Sequence, residues 1–324
     1  MKSLLQYKST IDNFLERGIQ TGEPEGLYEP MHYILGLGGK RLRPALTLMA
    51  AEALGGNVED SMEAAVALEL FHNFSLVHDD IMDNAPVRRG QVTVHEKWDL
   101  ATGILSGDAM LILSYQLFEK YEAGKFKSLV TLFSKTAREV CEGQQYDMEF
   151  EQQDEVPISL YLTMIANKTA VLVGAAMKMG AILAGASTQV QESCYNYGLN
   201  LGIAFQLQDD YLDAFGDPKS FGKQVGGDII ANKKTYLYLK SLALSDQEQR
   251  TELQHLFSIK PGKSDAKVKA VKDIYLESGA ADDIKREIKS YTEKAFAQLE
   301  SSGIKGESLQ ALKAVGEELM FRTV

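Results

Sequence analysis

The chain has 324 residues, a formal net charge of −11, 45% hydrophobic and 24% charged residues, a globular composition long enough for one large domain or two smaller ones. The acidity excludes a general nucleic-acid binder, which needs a basic face for phosphates; any anionic substrate must meet a local cluster of Lys and Arg, or metal ions. Two cysteines, Cys141 and Cys194, exclude a disulfide framework and, with no secretory signal at the N-terminus, make a reducing cytoplasm the expected compartment.

Seven prolines punctuate the chain, with none between Pro86 and Pro157 or between Pro157 and Pro218. Proline breaks helix interiors, so these gaps leave room for long helices. Apolar residues inside them recur at helical spacing and alternating stretches are scarce, which predicts an all-α protein of about a dozen helices. Helices at about 3–18, 28–37 and 40–54 open the chain. At the start of the third stands Gly38-Gly39-Lys40-Arg41-Leu42-Arg43-Pro44. Lys40 and Arg43, three apart, share a face, and a helix N-terminus adds free amides and a positive dipole end suited to a diphosphate.

The helix predicted over about 59–83 is strongly apolar and ends in the first acidic motif, Asp79-Asp80-Ile81-Met82-Asp83. Asp79 and Asp83 point the same way and Asp80 is rotated aside. Two carboxylates one turn apart, lodged at the end of a buried helix, call for a cation. His72 lies two turns before Asp79 on the same face; from the residues alone it reads as a core histidine. The side chains one or more turns before Asp79 are Phe71, Phe74 and the small Ser75.

A loop over 84–96 follows, carrying Arg88 and Arg89, whose guanidinium forks suit phosphate oxygens. Helices at about 97–121 and 126–150 come next, the former with an apolar stripe of Leu105, Leu111, Ile112, Tyr115 and Phe118, the latter containing Glu142-Gly143-Gln144-Gln145-Tyr146-Asp147. Asn167-Lys168-Thr169 interrupts an apolar helix predicted over about 158–185. Its run Val171–Gly185, broken by Lys178, is shorter than a bilayer span requires and reads as buried core, with no membrane insertion.

The helix at about 188–214 closes in a second motif, Asp209-Asp210-Tyr211-Leu212-Asp213, whose Asp209 and Asp213 again share a face. A Gly- and Lys-rich loop over 215–232 holds Lys223 and Asp228, and Lys233 follows it. Helices at about 233–256, 265–278, 281–301 and 307–321 complete the chain, with Ile284, Ile288, Tyr291, Ala295 and Leu299 in one stripe. No Ser/Gly/Pro-rich linker divides it, so residues 1–324 are expected to form one domain. Carboxylates are hard ligands for Mg²⁺, which takes its remaining ligands from water and substrate phosphates. Each basic residue alone reads as ordinary surface charge; their distribution around both motifs points to a metal-bound diphosphate.

With these motifs assembled, the sequence resembles the trans-isoprenyl diphosphate synthases, the polyprenyl synthetase family, over about residues 35–235. LVHDDIMDNAPVRRG and GIAFQLQDDYLD are similar to its two aspartate-rich motifs, and GGKRLRP, EGQQYD, NKTA and GKQVGGDIIANKKT to its accompanying signatures. The resemblance implies an isoprenoid synthase fold, a helical bundle around a central apolar cavity, acting as a homodimer. It implies joining of isopentenyl diphosphate to an allylic diphosphate (dimethylallyl, geranyl or farnesyl) by ionisation, condensation and elimination.

Carried over by position, Asp79 and Asp83 would bind two Mg²⁺ ions and Asp209, in its pair with Asp213, a third. Arg88, Lys168 and Lys223 would contact the allylic diphosphate, and Lys40, Arg43, His72 and Arg89 that of isopentenyl diphosphate. Thr169 and Gln206 would lie along the allylic tail near the developing cation, with Gln144, Asp147, Asp228 and Lys233 completing a polar wall. Phe71, Phe74 and Ser75 would form the floor that limits product length, and one aromatic five residues before the motif favours a C20 product over C15. The ending Phe321-Arg322-Thr323-Val324 lacks the strongly basic C-terminus of some relatives.

Two other readings fit parts of the pattern. A class I terpene cyclase shares the first motif, but its second metal motif differs from DDxxD and it needs no site for isopentenyl diphosphate. A non-catalytic partner subunit would be expected to have lost motif aspartates, and all six stand here.

Overall fold

Helices form where apolar-periodic sequence places them, and the Glu25–Gly36 helix accommodates Pro30 inside it. The computed structural model describes residues 3–18, 22–153, 155–217 and 225–320; Lys223 and Arg322 fall outside these. Among the described residues the architecture is all-α, with one two-stranded hairpin. Contacts divide the chain into two compact units. The first comprises residues 1–137, 175–195 and 304–312, the second 138–174, 196–303 and 313–324.

In the first unit, Leu4–Gly18, Glu25–Gly36, Leu42–Ala53, Met62–Met82 and Leu100–Gln116 are the main helices. Their core holds Leu46, Leu48, Leu68, Phe71, Met110, Phe118 and Phe133, all essentially inaccessible. The Asp99 carboxylate caps the 100–116 helix by accepting from the Thr102 amide at 2.7 Å, meeting a donor the first turn otherwise leaves unpaired. Gly180 lets its helix approach the 42–53 helix: a Cβ there would lie 2.4 Å from the Thr47 carbonyl oxygen. The expected stripe on the 100–116 helix is only partly inward. Phe118 is buried, but Leu105 and Ile112 are 60% and 58% exposed, because periodicity marks an apolar face without saying what covers it.

In the second unit, Ile158–Ile165, Tyr236–Leu244, Gln247–Ser258, Asp265–Glu277 and Ala280–Ser301 pack around Tyr161, Leu207, Leu212, Leu237, Val271 and Ile284. The C-terminal stripe is inward as expected, with Ile284, Ala295 and Leu299 fully buried. The helix expected over 233–256 breaks at Ser245. Asp246 caps a new helix by accepting from the Gln249 amide at 2.9 Å, so a local side-chain bond outcompetes continuation. The long helices Ala123–Gln152, Val171–Leu183 and Thr188–Phe215 contribute residues to both units.

Two departures bear on function. Residues 84–96, read as loop, contain the hairpin Val87–Arg88 and Gln91–Val92 and most of a short helix, Val94–Lys97. Within the helix expected over 158–185, Ala166–Ala170 forms a π turn, an irregularity frequent at functional sites.

Candidate active site

The first unit gathers its predicted residues at the end of the 62–82 helix and in the two loops beside it. Asp79 is half-buried and Asp83 exposed, while Asp80 faces inward at 2% exposure, as the helical spacing requires. Asp80 has a partner the sequence did not disclose. Arg88 Nε donates to both its carboxylate oxygens at 2.8 Å, and Arg88 Nη2 stands 2.7 Å from Asp80 and 3.7 Å from Asp79. Burial lowers the Arg88 pKa, but its bond to Asp80 and the charges of Asp80, Asp79 and Asp83 prevail and raise it.

The hairpin explains how adjacent arginines serve different partners. Arg88 pairs with Gln91 across it, leaving Arg89 (φ 53°) and Gly90 (φ 76°) as a two-residue turn in the left-handed region, the backbone of a type I′ hairpin. The turn sends Arg89 to the glycine loop, where Nη1 donates to the Gly38 carbonyl. Gly39 beside it holds φ 140°, a backbone conformation that L side chains rarely adopt.

Arg43 Nη1 lies 3.1 Å from His72 Nε2. Arginine only donates, so Nε2 accepts and Nδ1 carries the proton. Burial, then the charges of Arg43, Arg89, Arg88 and Arg41, push the His72 pKa well below its ordinary value, keeping the imidazole neutral. Arg43 Nε is buried with no hydrogen-bond partner among the described residues, and the charge of Arg89 bears on Arg43. Like charges held together with a donor unused are the electrostatic signature of an anion site. Lys40 is exposed in the same loop.

In the second unit the π turn Ala166–Ala170 places Lys168 and Thr169 among polar partners. Lys168 Nζ is 2.5 Å from the Asp147 carboxylate. Thr169 Oγ1 donates to Gln206 Oε1 at 3.2 Å, and Gln206 Nε2 donates to Asp210 at 3.3 Å. Gly143 permits this arrangement: a Cβ there would stand 2.2 Å from the Lys168 backbone nitrogen, so even alanine would drive the π turn away. Gln144 Nε2 is buried without a hydrogen-bond partner among the described residues.

Asp210 is buried, and burial first, then the charge of Asp228, push its pKa up to about 8; Tyr161 Oη donates to its second oxygen. Asp213 accepts from the Asp228 amide at 3.0 Å, at the start of the short helix Gly227–Ala231. The Lys233 amide in turn donates to the Asp228 carbonyl at 2.9 Å. Sequence reasoning missed Tyr161, whose phenol looks like any core tyrosine. It also missed Glu69, buried on the motif helix where its spacing matches neither acidic motif.

The carboxylates suit a divalent cation. Asp79 and Asp83 share one face, as do Asp209 and Asp213, and all four present hard oxygen donors. Among the described residues no three His, Cys, Asp or Glu side chains form a closed cage. Each pair by itself suits an ion that completes its shell with water and phosphate oxygens.

Comparison with known proteins agrees with this chemistry. The family model described as polyprenyl synthetase matches residues 24–275. A geranylgeranyl diphosphate synthase of Methanosarcina mazei is 43% identical over 235 residues, 72% of each chain. A geranylfarnesyl diphosphate synthase of Natronomonas pharaonis is 35% identical over 298 residues, 86% of this chain and 85% of that one. A crystal structure of a geranylgeranyl pyrophosphate synthase superposes with a TM-score of 0.95 at 53% identity, covering 99% of both chains.

Proposed function

We propose, from the premise that this chain belongs to the polyprenyl synthetase family, that it is a short-chain trans-prenyltransferase whose product is geranylgeranyl diphosphate. The reaction class follows from its relatives; the C20 product is the finer reading, supported by Phe74 standing five residues before Asp79. The observation that carries the site assignment is the pair of cations Arg43 and Arg89 gathered about neutral His72, beside a helix ending in paired carboxylates. We take the two units as one catalytic domain.

Polyprenyl synthetases use a divalent metal. Here Asp79, Asp83, Asp209 and Asp213 would hold Mg²⁺, three ions in all, which when bound supplies positive charge to a departing diphosphate. Lys168, Arg88 and Lys223 would add cationic donors to that allylic diphosphate as charge grows on it. Thr169 and Gln206, joined by their hydrogen bond, would present oxygen dipoles to the allylic cation. Lys40, Arg43, Arg89 and the Nδ1–H of neutral His72 would hold isopentenyl diphosphate while its double bond attacks. The proton lost afterwards goes to the released diphosphate. Gln144, Asp147, Asp228 and Lys233 would complete the polar wall.

Mass analysis of products from isopentenyl diphosphate with dimethylallyl, geranyl and farnesyl diphosphates tests the reading: a C20 product is expected, and a chain that ignores isopentenyl diphosphate would refute it. Initial-rate kinetics separate the two sites. Lys40→Ala and Arg43→Ala should raise KM for isopentenyl diphosphate by about tenfold or more. Lys168→Ala should instead act on the allylic substrate and on kcat, because it meets charge that grows during ionisation. A Lys40 effect confined to the allylic substrate would reverse the assignment.

We further propose a cytoplasmic homodimer. The Leu100–Lys120 and Ile158–Leu183 stretches are long and apolar enough to cross a bilayer by length and composition. Half of the second, however, is buried within the protein. The first carries Asp108, 58% exposed at its side chain, on the face that displays Leu100, Ile104, Leu105 and Ile112; a carboxylate is costly at the centre of a bilayer-spanning helix. A contiguous apolar face with a charge in it suits a second protein surface better than lipid. Sedimentation velocity should show a dimer that Leu105→Asp with Ile112→Asp converts to monomer; a monomeric parent chain would remove the proposal.

A further inference from the structure

The signature Gly38-Gly39-Lys40-Arg41-Leu42-Arg43 contains three cations, and the structure treats one of them differently. Arg41 is 5% exposed, whereas Lys40 before it is exposed. Its backbone lies at φ 49°, ψ 37°, in the left-handed region. Gly38 (φ 73°) and Gly39 (φ 140°) reach such angles at no steric cost; an arginine does not. A strained residue persists when its surroundings over-determine it, and Arg41 has three strong partners. Nε donates to Asp12 at 2.9 Å, Nη1 to Glu69 at 2.6 Å and Nη2 to the Leu35 carbonyl at 2.6 Å.

These partners tie three parts of the chain together. Asp12 belongs to the Leu4–Gly18 helix, before the matched family region at 24–275, and is steadied by Lys8 at 2.7 Å. Leu35 lies in the last turn of the Glu25–Gly36 helix. Glu69 stands on the motif helix one turn before His72, where Asn73 Nδ2 donates to it at 3.1 Å. Burial raises the Asp12 pKa, but the bonds from Lys8 and Arg41 prevail and hold it below its usual range. Glu69 is also the carboxylate whose charge reaches Arg43 and Arg89. It thus offsets part of the repulsion between them while its own hydrogen bonds go to Arg41 and Asn73.

We infer that Arg41, clamped by Asp12 and Glu69, is a positioning residue for the isopentenyl diphosphate site. It fixes the register of the glycine loop on the motif helix so that Arg43 meets His72, and it makes the N-terminal helix part of that site. The inference rests on the assignment of Arg43 and His72 to that substrate. Without the clamp the strained turn relaxes, Lys40 and Arg43 lose their aim, and the cost falls on one substrate.

Initial-rate kinetics on Arg41→Lys, Asp12→Asn and Arg43→Ala, with thermal melting of each, test this. Lysine keeps the charge but cannot make the three-way fork. KM for isopentenyl diphosphate should rise about tenfold in Arg41→Lys and about threefold in Asp12→Asn, with kcat and the allylic KM held within about twofold. Equal changes in both KM values, or a lowered Tm with neither KM altered, would reduce the clamp to a structural strut and overturn the inference. If Arg41→Lys does not melt cooperatively, the near-isosteric Asp12→Asn decides. An unchanged isopentenyl diphosphate KM in Arg43→Ala would instead overturn the site assignment, and the inference with it.

Discussion

Asp79→Ala and Asp83→Ala should each lower turnover by about 100-fold or more while leaving the helical circular dichroism intact, because the role proposed for these carboxylates is to hold the metal that assists loss of diphosphate. Neither side chain is buried core: Asp79 is half-buried and Asp83 exposed. Their removal therefore costs little stability, and relieving like charge one turn apart returns a few tenths of a kcal/mol. Asp80→Ala behaves differently. Helical spacing alone makes it the mild member of the three, since it faces away from the other two. The structure adds that Asp80 is buried and holds Arg88 by a bidentate fork. Removing it leaves a largely buried guanidinium without its main partner, at a cost of about 2–3 kcal/mol once the partial exposure of Arg88 is allowed for. Asp80→Ala should thus show the largest fall in Tm and an intermediate loss of turnover. Equal, mild effects on turnover across the three positions would remove the metal-site assignment.

The same three aspartates show how far sequence reasoning reaches. Period 3.6 correctly divided the motif into Asp79 and Asp83 on one side and Asp80 on the other. It could not name Asp80's partner, because Arg88 arrives through a hairpin whose turn is Arg89-Gly90. Type I′ turns are usually announced by Asn-Gly or Asp-Gly; with arginine at the first left-handed position the signal is hidden, and 84–96 reads as loop. Both acidic motifs, the glycine–cation loop and the helical character of almost the whole chain were legible, since each depends on local spacing. The π turn at Ala166–Ala170 was not, as Asn-Lys-Thr fits an α-helix equally well. The turn packs against a helix distant in sequence, where Gly143 lets backbone approach Lys168. Arg41 was invisible for a related reason: three cations in four residues look equivalent until burial and φ distinguish them.

Phe74→Ala should lengthen the principal product from C20 by about one five-carbon unit and by no more than two, an estimate set by the 5.4 Å pitch of a helical turn, which matches one isoprene unit. The prediction rests on a graded aromatic stack along the motif helix. Phe74 is half-buried, with its ring 4.7 Å from His78 on one side and 5.6 Å from Phe71 on the other. Phe71 is the firmer barrier. It is 1% exposed and meets Phe133 edge-on at 5.3 Å, and Phe133 is itself braced by Tyr115 at 4.9 Å and Phe118 at 5.2 Å. With Phe74 as the proposed floor, its removal would give a growing chain one further turn of space, then a ring that cannot move without disturbing three others, since packed cores do not yield continuously. Phe71→Ala in the Phe74→Ala background should extend products further at a stability cost of about 3–5 kcal/mol, the range for a buried Phe. Ser75→Phe should act in the opposite sense. Its hydroxyl now folds back onto the His72 carbonyl at 2.8 Å and occupies little space; an aromatic ring there shortens the product towards C15. Mass analysis of products at matched turnover decides the matter, and an unchanged distribution in both Phe74→Ala and Ser75→Phe would show that product length is set elsewhere than on this helix.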